Sequence, residues 1–115
     1  MPPESLVIED LLGPKDGMRI LRLHGPLALN NLFDFQAKVR ADNSRALIID
    51  FSKVPYVDSA GIGALVGAYV THQKERRTLS LVGVSARIHS ALQVMRVERF
   101  FRFFDTLDAA ECDAA

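Results

Sequence analysis

In the stretch Ala46-Leu47-Ile48-Ile49-Asp50-Phe51, every residue except Asp50 is apolar. A short, almost continuous apolar run of this kind is typical of a strand that is buried on both faces of a sheet. Apolar residues then recur at helical spacing across residues 62–70, and residues 79–84 form a second apolar run. A strand, a helix and a strand in this order predict two parallel strands joined by a right-handed crossover, and hence an α/β fold.

Further elements are predicted on both sides of this unit. They are strands over residues 5–12 and 18–24, a helix over residues 30–41, a third helix capped by Ser85, an extended piece over residues 100–104 and a last helical turn over residues 107–112. Residues 13–17 are rich in glycine and proline, so the first two strands should form a hairpin.

Each of the three long helices carries an apolar stripe that should face the sheet. The stripes are Leu29, Leu32, Phe33, Phe35 and Val39 in the first helix, Ile62, Leu65, Val66, Tyr69 and Val70 in the second, and Ile88, Leu92, Val94 and Met95 in the third. The opposite side of the second helix carries small residues, namely Gly63, Ala64, Gly67, Ala68 and Thr71. This side either docks a partner or packs within the domain, because small residues permit close approach in both settings.

The composition is that of one ordinary globular domain, which we expect to span residues 1–115. Lys plus Arg number 14 and Asp plus Glu number 14, so no net charge attracts the chain to DNA or to an anionic membrane. The single cysteine, Cys112, excludes a disulfide framework and suits a reducing cytosol. Residues 1–5 lack signal-peptide features, and residues 60–70 are too short for a membrane span. We therefore expect a cytoplasmic protein without membrane insertion or direct DNA binding.

The pair Asp58-Ser59 precedes the second helix, so both side chains should lie at its N-terminus. Unpaired N–H groups and the positive end of the helix dipole at that position favour a phosphate on Ser59. Gly61 and Gly63 lack side chains in the same turn, which would let another protein approach Ser59 closely. The simpler interpretation is that Asp58 or Ser59 is only an N-cap and that the glycines only satisfy backbone geometry.

The segment Val57-Asp58-Ser59-Ala60-Gly61-Ile62-Gly63-Ala64-Leu65, preceded by residues 47–51, resembles the signature of the STAS family, the sulfate-transporter and anti-sigma-antagonist domain. Residues 23–27 resemble the family's segment after the second strand, and residues 85–101 resemble its last long helix and the extended piece that follows. The resemblance implies a small mixed β-sheet with helices packed mainly on one face.

The resemblance also implies a phosphorylation switch. In stand-alone bacterial members the serine directly after the motif Asp is phosphorylated, which maps onto Ser59, and Asp50 and Asp58 match acidic positions that flank it. The implied partners are an anti-sigma factor that is also a serine kinase, and a PP2C-type phosphatase. The unphosphorylated form would bind the kinase and release a sigma factor. Residues expected to support docking are Asp50, Asp58, Ala60, Gly61, Ile62, Gly63 and Gly67.

Two positions depart from the family pattern. Many antagonists carry an Asp where this chain has Ala28, and many carry a second Ser or Thr where it has Ala60. Ala60 leaves Ser59 as the only hydroxyl of the motif. Ala28 favours the alternative that the protein is a STAS subunit regulating a membrane transporter or a stress-sensing scaffold. The sequence leaves open whether the protein forms a homodimer.

Other chemistries find little support in the sequence. His24, His72 and His89 are far apart and have no cysteine cluster near them, so neither a metal site nor a cofactor is expected. Ser59 is not bracketed by glycines as in a nucleophile elbow, and no kinase signature is present, so we expect a non-enzyme. The aromatic residues of the segment 99–104 are expected to complete the core rather than to stack on nucleic acid.

Overall fold

The computed structural model describes residues 5–113 of the chain. Its strands are β1 (Val7–Leu12), β2 (Met18–His24), β3 (Ala46–Lys53), β4 (Thr78–Val82) and β5 (Arg102–Phe104). Its helices are α1 (Leu32–Ala41), α2 (Ser59–Lys74), α3 (Ala86–Val94) and α4 (Leu107–Asp113), with a 3₁₀ turn at Glu98–Phe100. The predicted order of strands and helices is confirmed. The part of the signal-peptide expectation that concerns residues 1–4 lies outside the described residues.

The five strands form one mixed sheet in the order β1-β2-β3-β4-β5. β1 and β2 are antiparallel and form the predicted hairpin, whose turn contains Gly17 at φ +79°. The pairs β2–β3, β3–β4 and β4–β5 are parallel, and a helix lies between the strands of each pair in the sequence. The predicted parallel pair, β3 and β4, is therefore confirmed, and it belongs to a run of four parallel strands, β2 to β5.

The larger core lies between one face of the sheet and α1, α2 and α3. Leu47 and Ile49 of β3 join this core, together with Phe35, Leu65 and Ile88 of the three helices. A smaller core on the other face contains Met18, Ile20, Ile48, Val82 and Ala110 of α4. Helices therefore pack mainly on one face, as predicted, and Ile48 and Ile49 explain why the β3 sequence is apolar on both sides.

The predicted apolar stripes were wrong at their margins. Leu29 and Phe33 are 66% and 72% exposed, because α1 turns only Leu32, Phe35 and Val39 inward. In α2, Val70 is exposed, whereas Ala68 and His72 are buried.

The end of α3 provides a second correction. Val94 and Met95 are 81% and 49% exposed, because α3 ends at Val94 and Arg96 adopts a left-handed conformation with φ 61°. The chain leaves the helix before these two side chains can reach the core.

The aromatic residues near the C-terminus pack against α2, as predicted. Phe101 is 7% exposed, and the Phe100 ring stacks on Tyr69 with 5.1 Å between the ring centroids. None of the helices within residues 5–113 is both long and apolar enough to cross a membrane.

Candidate functional site

Asp58 is the N-cap of α2 and also a link to the loop before α1. Its backbone is extended, with φ −89° and ψ −178°, and its Oδ1 accepts a hydrogen bond from the N–H of Gly61 at 2.8 Å. Its Oδ2 accepts a second hydrogen bond from the N–H of Leu29 at 3.0 Å. One carboxylate therefore satisfies a free donor of the helix and fixes the neighbouring loop.

The loop that Asp58 fixes is tied down at several further points. The N–H of Leu27 donates to the carbonyl of Tyr56, and the N–H of Asp58 donates to the carbonyl of Leu27, both at 3.2 Å. The Asn31 side chain accepts from the N–H of Ala28 and donates to the carbonyl of Pro26, both at 2.8 Å. Ala28, the position at which many antagonists have an Asp, thus lies in the loop beside Asp58, with only 6% of its surface exposed.

Ser59 is the first residue of α2 and is exposed. Its hydroxyl makes no hydrogen bond within residues 5–113, and in the same range the N–H groups of Ser59 and Ala60 have no acceptor. Asp58 rather than Ser59 provides the side-chain cap, so the capping role does not occupy the serine. The site combines an accessible hydroxyl with two free backbone donors at the positive end of a helix.

Gly61 serves packing inside the domain, which corrects the expectation that it opens the surface to a partner. The residue is buried, and a Cβ built on it would overlap the carbonyl oxygen of Leu27 and lie 2.7 Å from Cγ1 of Val57. The absence of a side chain lets the first turn of α2 lie directly on the Leu27 loop. Ile62 is also buried, at 4% exposure, and its side chain belongs to the larger core.

Gly63 and Gly67 are exposed, in contrast to Gly61. A Cβ built on either glycine would meet nothing within 4 Å. Both line a groove of about 830 Å³ between α1 and α2, together with Ala60, Ala64 and Thr71 of α2 and with the exposed apolar side chains of Leu29 and Phe33 on the opposite wall. Ala68, although it borders the groove, is buried in the core. Most of the predicted small-residue face is therefore accessible over successive turns of α2, from the turn next to Ser59 onward.

The structure does not bring the Asp50 carboxylate into hydrogen-bond contact with Asp58 or Ser59. The carboxylate accepts hydrogen bonds from the hydroxyl and the N–H of Ser52, at 2.5 and 2.9 Å, and from Nε of Arg22 at 3.2 Å. Burial alone would raise the pKa of Asp50, but these hydrogen bonds and the Arg22 charge outweigh it and hold the pKa below its ordinary value. Asp50 is thus an ionised buried group that fixes the end of β3.

The three histidines have different surroundings in the structure. His24 contacts Glu9, His89 contacts Glu98 at 3.0 Å, and His72 is buried in α2. Residues 5–113 contain no group of three or more side chains suited to hold a metal ion.

One contact of Tyr56, which precedes Ser59 by three residues, was missed by sequence reasoning. The guanidinium of Arg87, in the first turn of α3, lies over the ring of Tyr56 at 5.6 Å from its centroid. The two residues are distant in sequence, so no local pattern could have paired them.

The family model for the STAS domain matches residues 14–110, which include strands β2 to β5 and the Ser59 turn. The chain belongs to the STAS domain family. The sequence resemblance in residues 47–65 is therefore confirmed over most of the chain.

Solved structures agree with this STAS fold. An anti-sigma factor antagonist from Mycobacterium paratuberculosis matches with a TM-score of 0.79 and 22% identity over 94% of each chain. The Bacillus cell fate determinant SpoIIAA in its phosphorylated form matches with a TM-score of 0.73 and 15% identity, over 93% of this chain and 99% of that chain.

The same fold also occurs within a transporter. The murine anion transporter Solute Carrier 26 family member A9 matches with a TM-score of 0.75 and 21% identity, over 96% of this STAS domain but only 22% of the transporter. At such identities the likeness shows the fold alone.

Proposed function

We propose that this STAS protein is a cytoplasmic anti-sigma factor antagonist and not an enzyme. In its unphosphorylated form it binds an anti-sigma factor that is also a serine kinase, and this releases a sigma factor. Phosphorylation of Ser59 ends the binding, and a PP2C-type phosphatase restores it. The observation that carries the proposal is the free Ser59 hydroxyl at the start of α2, beside a carboxylate that accepts one hydrogen bond at each oxygen.

A phosphate on Ser59 is compatible with the fold. The free N–H groups of Ser59 and Ala60 can donate to its oxygens, and the positive end of the helix dipole attenuates its charge. The Asp58 carboxylate keeps its own two donors, so the cap need not rearrange.

The same phosphate is unfavourable in an interface. It adds about −1.5 to −2 charges next to Asp58, and a partner surface that covers Ser59 would have to desolvate them. The switch therefore acts through charge at the surface and needs no refolding of the domain.

The groove between α1 and α2 extends the proposed docking surface. It begins at Ala60, next to Ser59, and runs past Gly63 and Gly67. Leu29 and Phe33 expose apolar area along it, which is the kind of surface that protein partners cover. In the proposal, the kinase contacts both Ser59 and this groove.

Phosphorylation is tested by measuring intact mass. The protein is incubated with candidate anti-sigma kinases and ATP, alongside Ser59→Ala and the matched control Ser85→Ala. Ser85 is also an exposed serine at a helix N-terminus, but its hydroxyl already accepts a hydrogen bond from the N–H of Ile88. We expect one phosphate on the wild type and on Ser85→Ala and none on Ser59→Ala. No phosphate with any kinase would favour the alternative of a constitutive transporter or scaffold subunit.

Docking is tested separately by placing a large charged side chain in the groove. Gly67→Arg has open space around it, so the fold should survive, and we expect kinase binding to weaken at least about tenfold. Gln73→Arg adds the same charge on the same helix outside the groove and should bind normally. Unchanged affinity of Gly67→Arg would remove the groove from the interface.

A further inference from the structure

Strand β1 forms one edge of the sheet, and a hydrogen bond at its end fixes which backbone groups face outward. The N–H of Gly13 donates to the carbonyl of Met18 at 2.8 Å, in continuation of the antiparallel β1–β2 register. Along an antiparallel pair, residues that bond to the neighbouring strand alternate with residues whose N–H and carbonyl groups point the other way. Counted back from Gly13, the outward-pointing residues are Ile8, Asp10 and Leu12. Their backbone groups form a row of donors and acceptors along the free edge of the described sheet.

The β1 edge lacks the features that usually prevent one strand edge from pairing with another. β1 pairs with β2 over six residues without a bulge, and it contains neither proline nor lysine. Three of its apolar side chains are exposed, namely Val7, Leu11 and Leu12, at 57%, 36% and 78%. The other edge strand, β5, has only three residues, and such shortness itself protects an edge. Of the two edges, β1 is therefore the one suited to accept a further strand.

The two acidic residues of β1 are already paired within the domain. Glu9 contacts the ring of His24. The Asp10 carboxylate binds Nη1 of Arg19 at 2.5 Å and Nζ of Lys38 at 3.3 Å. The negative charge of this strand is therefore compensated before another strand approaches, which reduces the repulsion between two acidic edges.

A pocket of about 310 Å³ lies beside this edge, between the start of β1 and α1. Its lining residues are Leu6, Ile8, Asp34, Ala37, Lys38 and Ala41. Leu12 lies on the same face of β1 as Ile8, because side chains four residues apart in a strand point to the same side. Unlike Ile8, Leu12 extends into solvent. One face of β1 thus has an apolar pocket at its start and an exposed apolar side chain at its end.

We propose that two copies of the protein pair through β1, antiparallel, around a two-fold axis at Asp10. This register pairs all three outward-pointing residues, with Ile8 opposite Leu12 of the second copy. Directly opposite residues have Cβ atoms about 5 Å apart on the same face, so Leu12 of each copy enters the pocket beside Ile8 of the other. A shift by two residues would pair only two of the three. The strand is complementary to itself, and for this reason the occupant of the edge is a second copy.

Self-association is measured by sedimentation velocity over a wide range of protein concentration. The sedimentation coefficient of the wild type should rise with concentration from the monomer value to the dimer value. Leu12→Lys places a charge at the apolar pocket of the second copy and should weaken the dimer at least about tenfold. Val94→Lys makes a similar change at a residue of α3 that is 81% exposed, and it should dimerise like the wild type. A monomer at every concentration, or equal weakening in both variants, would overturn the proposal.

Amide hydrogen exchange, followed by NMR at low and high protein concentration, tests whether the dimer uses this edge. The N–H groups of Ile8, Asp10 and Leu12 should exchange more slowly at high concentration, because the second copy protects them. The alternate N–H groups of β1, which bond to β2, should change much less. A dimer without this alternation would use another surface and would contradict the proposal. Ser59→Ala should dimerise normally, so this result and the result for the kinase switch are independent.

Discussion

The polar groups at the two ends of α2 differ in their hydrogen bonding and in their exposure. At the first turn, the Asp58 carboxylate serves two backbone donors, and Ser59 next to it faces solvent. At the other end, Nε2 of His72 in the last turn and Nε of Arg77, three residues after the helix, are buried, and within the described residues they have no partner. At the first end the capping carboxylate has a partner at each oxygen, and the groups left free in the described chain are the Ser59 hydroxyl and the N–H groups of Ser59 and Ala60. At the other end the groups without a partner are buried inside the domain.

This difference separates two kinds of chemistry on one helix. The N-terminal end can accept an added charge, because its structural hydrogen bonds do not involve the Ser59 hydroxyl. The C-terminal end is sensitive to protonation, because burial disfavours the charged form of His72. Changes that disturb the first end should therefore act through backbone contacts, and changes at the second through protonation.

The largest expected effect comes from breaking the close contact under the first turn. Gly61→Ala places a Cβ against the Leu27 carbonyl and the Val57 side chain, and we expect it to lower the free energy of unfolding by about 2 kcal/mol or more. Urea denaturation measures this loss.

Gly63→Ala is the matched control for the same turn. Its Cβ would enter open space, so the variant should be up to about 1 kcal/mol more stable than the wild type, since alanine favours helix. Similar stability of the two variants would show that the Leu27 contact does not constrain the turn.

An intermediate effect is expected when the cap is removed. Asp58→Ala leaves the N–H groups of Gly61 and Leu29 without their acceptor and should cost about 1–2 kcal/mol in urea denaturation. Asp58→Asn retains one side-chain oxygen and should lie between the wild type and Asp58→Ala. If Asp58→Ala were as stable as the wild type, water would replace the carboxylate at no cost, and the cap would contribute nothing to the stability of the first turn.

The smallest expected effect is a pH dependence at the last turn. The pKa of His72 is lowered by burial from its ordinary value of 6.5, so the unfolded chain binds a proton more readily than the folded domain. His72 therefore leaves stability unaffected above pH 6.5 and reduces it as the pH falls from there toward the lowered pKa. Thermal unfolding across this range should show a shallower decline for His72→Leu than for the wild type, and parallel curves would contradict the inference.

Much of the fold could be predicted from the sequence, because the apolar runs of β3 and β4 are short, lie on either side of a long helical pattern and are therefore typical of buried parallel strands. The position of Ser59 at a helix N-terminus followed from Asp58-Ser59 and the helical spacing after it. Both outcomes depend on short-range patterns, which a single sequence contains in full.

The details of α2 could not be predicted in the same way. The apolar pattern predicted that Val70 faces the core and Ala68 does not, because only large apolar side chains were assigned to the stripe. In the structure Val70 is exposed and Ala68 is buried. Close packing against a sheet and a second helix instead selects small residues at the tightest points. The opposite roles of Gly61 and Gly67 depend on which backbone lies nearby, and that is set only by the tertiary fold.

The left-handed residues that follow two of the helices were not predicted, for a related reason. Arg76 and Arg96 both adopt left-handed conformations, with φ 56° and 61°, just after α2 and α3. The usual signal for such an end is glycine, so the sequence contains no marker at either position. The sequence also could not predict that the nitrogens of His72 and Arg77 are buried without hydrogen-bond partners in the described chain, because this depends on the tertiary structure.

The strand order has a consequence for how the protein is made. Each of the strands β2 to β5 pairs with the strand that comes just before it in the chain. During synthesis, each newly emerged strand and helix can add to an edge that already exists, without waiting for a distant segment. Because β5 is the last of the five strands, the outer edge of the sheet and the stacking of Phe100 on Tyr69 form only after this part of the chain has emerged.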